Sequence, residues 1–267
     1  MRAAVLGQPI SHSLSPYIHN AAYKALGLPH EFSTIECNEA SFKHVLESCD
    51  ENWMGLSLTM PLKEAAFTVA DTVTSVAVLA RSCNTLLLTD KIHADNTDVY
   101  GIVQAVREHS LVKAHRAVII GSGATARSAV VACHELGITS IDIIARNKRA
   151  LNECGDIAQR LGIVATATDP RETVFTETTL TINATPAGIA DALIPALQPP
   201  AGAILDVVYH PWPSAITGHW LNSGLVAIPG HSMLLHQAVK QFHLMTGFPA
   251  PVDVMRHALE TELHNRH

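Results

Sequence analysis

The chain carries little charge and no concentrated surplus of either sign. Eighteen Lys and Arg stand against 24 Asp and Glu, a formal net charge of −6, and only 16% of the 267 residues are charged. No basic block occurs, which excludes the broad phosphate-backbone grip of a nucleic-acid binder. Cysteine is scarce: Cys37, Cys49, Cys83, Cys133 and Cys154 are odd in number, widely spaced and without a C-x-x-C pair. That excludes a disulfide frame and a zinc site, and fits free thiols in a reducing cytoplasm. No apolar run approaches the ~20 residues of a membrane helix, and Met1 leads straight to Gly7 without a cleavage site, which argues against a signal peptide. Sixteen histidines are present, yet no H-E-x-x-H or similar ligand spacing accompanies them, so no metal is expected. What remains is a 48% hydrophobic globular chain with no repeats or low-complexity linkers, long enough for one or two domains.

The pattern alternates strand and helix. Ala3–Leu6 reads as a buried strand ended by Gly7, Pro16–Leu26 as a helix stopped at Gly27, Glu31–Cys37 as a strand, Ser41–Ser48 as a helix and Met54–Leu58 as a strand. Leu62–Val69 reads as a helix entered through Pro61, and Thr85–Thr89 with Ile92–Ala94 as a hairpin. A second series begins with the helix Val99–Glu108. It continues with strand Ala117–Ile120, helix Ala126–Leu136, strand Ser140–Ala145, helix Lys148–Leu161, and strands Leu180–Ala184 and Ala203–Val208. Amphipathic helices Met233–Met245 and Val252–His264 close the chain, and Pro195–Pro200 reads as a loop. Such alternation predicts an α/β protein of two open units with largely parallel sheets and a cleft between them, the later unit Rossmann-like.

Strand Ala117–Ile120 runs into Gly121-Ser122-Gly123-Ala124-Thr125-Ala126 and then a helix. In that setting G-x-G-x-x-A has a mechanism. Gly121 permits a tight turn, Gly123 lets the backbone approach a pyrophosphate, and Ala126 permits close helix–strand packing. A dinucleotide would rest its phosphates on the helix N-terminus. The next strand decides which. An NAD site usually places Asp or Glu about 20 residues on. Here the strand ends Ala145-Arg146-Asn147-Lys148-Arg149. A guanidinium matches a phosphate in bidentate fashion, and cations at a helix start oppose the macrodipole unless an anion joins them. The expectation is NADP, with Arg146 the main contact and Asn147 and Arg149 supporting.

Near the N-terminus, Gly7-Gln-Pro9-Ile-Ser-His12-Ser13-Leu-Ser15-Pro16 puts two hydroxyls at a helix entry. They suit helix caps, or a grip on a carboxylate or polyol, or both. Ser57-Leu-Thr59-Met-Pro61-Leu-Lys63, Cys83-Asn84-Thr85-Leu86 and Asp95-Asn96-Thr97-Asp98-Val-Tyr-Gly101 follow. Further on stand Ile182-Asn183-Ala184-Thr185-Pro186-Ala187-Gly188, Asp206-Val-Val-Tyr209-His-Pro211 and Gly230-His-Ser-Met233-Leu234-Leu-His-Gln237-Ala238.

These blocks, in this order, resemble the shikimate dehydrogenase family over essentially the whole chain. The resemblance implies NADPH-dependent reduction of 3-dehydroshikimate to shikimate in aromatic biosynthesis. It implies that Ser13 and Ser15 bind the carboxylate, that Thr59, Asn84 and Gln237 contact ring hydroxyls, and that Tyr209 lies on the substrate side. It implies Lys63 and Asp98 as the catalytic pair. Asn183, Thr185, Gly230 and Met233 fall in segments on the nicotinamide side. It also sets the helix of Gln237 against the N-terminal half. The domains expected are therefore residues 1–98 with 231–267 for substrate and residues 99–230 for NADP. The chain departs from the family where Ser57 replaces a frequent Asn, where Ala124-Thr125 stands for a third glycine, and where Ala145-Arg146-Asn147 stands for Asn-Arg-Thr.

Ketone reduction moves hydride to carbon and a proton to oxygen, and the cofactor supplies the hydride. With no metal motif, side chains must handle the proton and the developing alkoxide. Lys63 is the candidate donor, with Asp98 to orient it; the plainer readings are a surface lysine and an N-cap ahead of Val99. A quinate/shikimate dehydrogenase with broader substrate or NAD use is the nearest alternative, and Arg146 argues against it. A non-catalytic NADP-binding regulatory module would not need Lys63, Asp98, Ser13 and Ser15 together. A methylene-folate dehydrogenase-like enzyme shares the plan but does not suit the paired serines. The expected partner is a small molecule, with neither nucleic acid nor membrane, and the chain is expected to work in the cytoplasm as monomer or homodimer.

Overall fold

The computed structural model describes residues 1–109 and 114–266. The chain divides into two compact units, Met1–Gly101 with Leu235–His267, and Ile102–Leu234.

The first unit opens with β1 (Arg2–Gly7), α1 (Ser15–Ala25), β2 (Glu31–Glu36), α2 (Glu39–Glu47) and β3 (Trp53–Leu58). It continues with β4 (Thr72–Val73), α3 (Ser75–Ala80), β5 (Thr85–Leu88), β6 (Ile92–Asp95) and the start of α4 (Asp98–Glu108). The sheet order is β2-β1-β3-β5-β6-β4. β1 pairs in parallel with β2 and β3, whereas β5 pairs antiparallel with β3 and β6. The unbroken burial of Ala3 through Leu6 and of β3 follows from this central position, since strands covered on both faces carry continuous apolar runs. Leu6, Phe42, Leu56, Leu58, Leu62 and Leu86 form one core beneath it.

The second unit has β7 (Arg116–Ile120), α5 (Ala124–Glu135), β8 (Ser140–Ile144), α6 (Lys148–Arg160) and β9 (Val164–Ala167). Then come β10 (Thr179–Asn183), β11 (Ala203–Asp206), α7 (Ala215–Asn222) and β12 (Val226–Ile228). All six strands are parallel, ordered β12-β11-β10-β7-β8-β9. Numbered within the unit that is 6-5-4-1-2-3, the doubly wound order, and its switch point lies between β7 and β10. α8 (Gly230–Thr246) leads the chain back to the first unit, where α9 (Val252–Asn265) packs on α1.

The segment Leu62–Val69 corrects the sequence expectation. It forms turns and a 3-10 stretch, Ala65–Thr68, instead of an α-helix. The Lys63 carbonyl accepts from Cys83 N–H at 2.8 Å, and Phe67 N–H donates to Glu64 O instead. A distant loop has taken the acceptor an α-helix needs.

Candidate active site

In the first unit, β1, β3 and β6 run the same way and β5 the opposite way, so the ends of three strands and the start of the fourth gather at one edge. Thr59, Asn84 and Asp98 all stand there. Gly7 makes part of this possible: a Cβ on it would lie 2.4 Å from Thr59 Cγ2 and 2.9 Å from Met60 O. Without that Cβ, Thr59 N–H donates to Leu6 O at 2.9 Å, and Gln8 N–H to Met60 O at 3.0 Å.

Lys63 and Asp98 meet. Lys63 Nζ donates to Asp98 Oδ2 at 2.5 Å, and the two side chains are 14% and 6% exposed. Asp98 Oδ1 accepts from Asn84 Nδ2 at 2.9 Å. Both carboxylate oxygens are thus held, which fixes the plane of the carboxylate and the direction from which it grips the ammonium. Asn84 Nδ2 also faces Thr97 Oγ1 at 2.9 Å and Gln237 Oε1 at 3.4 Å, while Asn84 Oδ1 accepts from Thr97 N–H at 2.7 Å. Asp98 is not the cap of α4; Asn96 Oδ1 accepts from Val99 N–H at 3.2 Å, leaving Asp98 to its two donors.

Ser15 is buried at the first turn of α1 and Ser13 is half-buried ahead of it. Neither caps the helix: Leu14 is the N-cap residue and no side chain bonds there. Ser13 Oγ accepts from Ser15 N–H at 3.3 Å. Ser57 turns inward, 5% exposed, and accepts from Gln241 Nε2 at 3.1 Å. His19 on α1 is fully buried, stacked 4.1 Å from Phe32, and burial depresses its ring pKa to about 3.

The second unit presents a different surface. Gly121 follows β7 with φ +114°, and a Cβ there would sit 3.1 Å from both Ala184 O and Thr185 Cγ2. The turn is therefore tied to β10 across the switch point. Gly123 is exposed, starts α5, and a Cβ on it would meet nothing within 4 Å. Ser122, Ala124 and Thr125 are partly exposed around it, and Ala126 is buried. Asn183 donates to Asp206 Oδ1 at 2.8 Å and accepts from Thr185 N–H and Oγ1 at 3.1 and 2.7 Å. Its side chain thereby sets Thr185. Burial raises the Asp206 carboxyl, against the pull of its donors Ser214, Val208 and Asn183. Gly230 begins α8 where a Cβ would lie 2.4 Å from Val207 O, and Met233 is buried one turn on.

Arg146, Asn147 and Arg149 are exposed beyond β8. Asn147 is the N-cap of α6, its Oδ1 accepting from Arg149 and Ala150 N–H, so its oxygen serves the helix. Arg149 Nε lies 3.5 Å from Glu153. No acid stands at the strand end. Tyr209 follows β11 in this unit, half-buried. Residues 5–86 match the shikimate dehydrogenase substrate-binding domain and 230–260 the shikimate 5'-dehydrogenase C-terminal domain. An NADP(+) shikimate dehydrogenase from Prochlorococcus marinus (strain AS9601) is 31% identical over 97% of both chains.

The chain belongs to the shikimate dehydrogenase family. Shikimate dehydrogenase of Mycobacterium tuberculosis superposes with a TM-score of 0.89 at 36% identity, covering 98% of this chain and 99% of that one. The Thermus thermophilus shikimate 5-dehydrogenase, solved in complex with NADP(H) and shikimate, has a TM-score of 0.85 at 28% identity, with 98% and 99% covered. Sequence reasoning missed Gln241 in the polar cluster of this chain. Its spacing of four residues from Gln237 on α8 was the available signal.

Proposed function

We propose that the chain is an NADP-dependent shikimate dehydrogenase, interconverting 3-dehydroshikimate and shikimate in the cytoplasm as a monomer or homodimer. The observation that carries this reading is the Lys63–Asp98 contact of 2.5 Å, braced by Asn84 at 2.9 Å. An ammonium so held keeps hydrogens free to aim at a substrate oxygen. In reduction Lys63 gives its proton to that oxygen and stabilises its developing charge; in oxidation it takes the proton back. Asp98 orients the ammonium. Thr59, Asn84 and Gln237 hold ring hydroxyls, and Ser13 and Ser15 take the carboxylate.

The second unit's residues fit a dinucleotide phosphate. The open space over Gly123 leaves the first amides of α5 approachable, and the exposed guanidinium of Arg146 suits a 2'-phosphate. Bound NADP supplies the hydride. An initial-rate panel of shikimate and quinate, each with NADP+ and NAD+, tests the reading. The highest kcat/KM is expected for shikimate with NADP+; a best rate for quinate with NAD+ contradicts it.

A further inference from the structure

We propose that Gln241 is a positioning residue for substrate, holding Asn84 in place from α8. This rests on the assignment of Asn84 to a ring hydroxyl. Gln241 is fully buried, and its Nε2 lies 3.0 Å from Asn84 O, 2.9 Å from Thr85 Oγ1 and 3.1 Å from Ser57 Oγ. The Asn84 carbonyl can only accept, so the amide nitrogen and not the oxygen must face it. Thr85 Oγ1 in turn donates to Asn84 Oδ1 at 3.0 Å, so one chain of hydrogen bonds runs from Gln241 through Thr85 into the Asn84 amide.

Gln237 lies one turn before Gln241 on the same face of α8 and takes the other side of Asn84, through Nδ2 at 3.4 Å. The helix therefore grips Asn84 at backbone and side chain together. Asn84 passes that placement on to Asp98 Oδ1. Ser57 and Thr85 are register partners on β3 and β5, so Gln241 also ties the two strands at the site's edge. Ser57 is short enough to leave room for this amide.

Gln241→Ser is expected to raise KM for shikimate on the order of tenfold, the scale of one lost hydrogen bond at a placed group. The KM for NADP+ should stay within twofold. The double variant Ser57→Asn/Gln241→Ser returns an amide from β3 and should bring the shikimate KM back to within threefold. An unchanged shikimate KM in a folded Gln241→Ser, or equal rises in both KM values, overturns the proposal. If that variant does not fold, Thr85→Val is to raise the shikimate KM about threefold, and no rise there overturns the proposal equally. A wild-type chain without shikimate turnover would instead fail the functional reading beneath it.

Discussion

The two units prepare for binding in opposite ways. In the first, Asn84, Asp98, Gln237 and Gln241 are at most 6% exposed and hold one another through hydrogen bonds. In the second, Gly123 and Arg146 are exposed, and among the described residues Arg146 makes no ion pair. Proton transfer needs groups fixed against each other before substrate arrives. A sugar–phosphate needs approachable amides and a cation that can turn to meet it. Under the proposed roles, the difference between the units matches the difference between those tasks.

Three substitutions would sharpen or break that comparison. The largest effect is expected for Lys63→Met, which removes the proposed proton carrier. Its kcat should fall by about 10² to 10⁴, while shikimate binding by equilibrium titration persists. Retained turnover would take the chemistry away from the first unit's cluster. Arg146→Asp comes next: kcat/KM with NADP+ should drop on the order of 10- to 100-fold with NAD+ little altered, and an equal loss with both would mean that Arg146 does not read the 2'-phosphate.

The smallest effect concerns the buried packing of the first unit. Burial holds His19 neutral down to about 3 against an ordinary 6.5. Between those pH values the unfolded chain binds a proton that the folded chain refuses. Stability from this residue is therefore intact above 6.5 and is lost as pH falls toward 3, by at most about 1.4 kcal/mol per pH unit. His19→Phe, stacked on Phe32 in the same place, should flatten the acid limb of urea unfolding by nearly one proton. An unaltered slope would place His19 in contact with water.

Much of this was legible because it is local. The apolar runs ending at Gly7 and Gly121 mark the central strands β1 and β7; Asn147, expected to support a phosphate, has its Oδ1 on the first amides of α6. The hairpin Thr85–Leu88 with Ile92–Asp95 shows in its short apolar runs. What stayed hidden was decided at a distance or by weak signals. The Lys63 carbonyl is taken by Cys83, which no periodicity announces. β9 is an edge strand with mostly exposed residues, and α7 carries Thr217, Gly218, His219 and Trp220, all weak helix formers, behind its Ser214 cap. Ser57 shows in sequence only as a departure from a frequent Asn; that its hydroxyl accepts from Gln241 does not. Gln241 drew no notice because its acceptors lie 156 to 184 residues away.

Turnover of Lys63→Met, Asp98→Asn and the double variant, measured with shikimate and NADP+, tests most directly whether lysine and aspartate work as one unit. Groups that act together lose their effect together, so the double variant should be no more than about threefold slower than the worse single. If the two losses multiply, the ammonium and the carboxylate act independently and the account of the site fails.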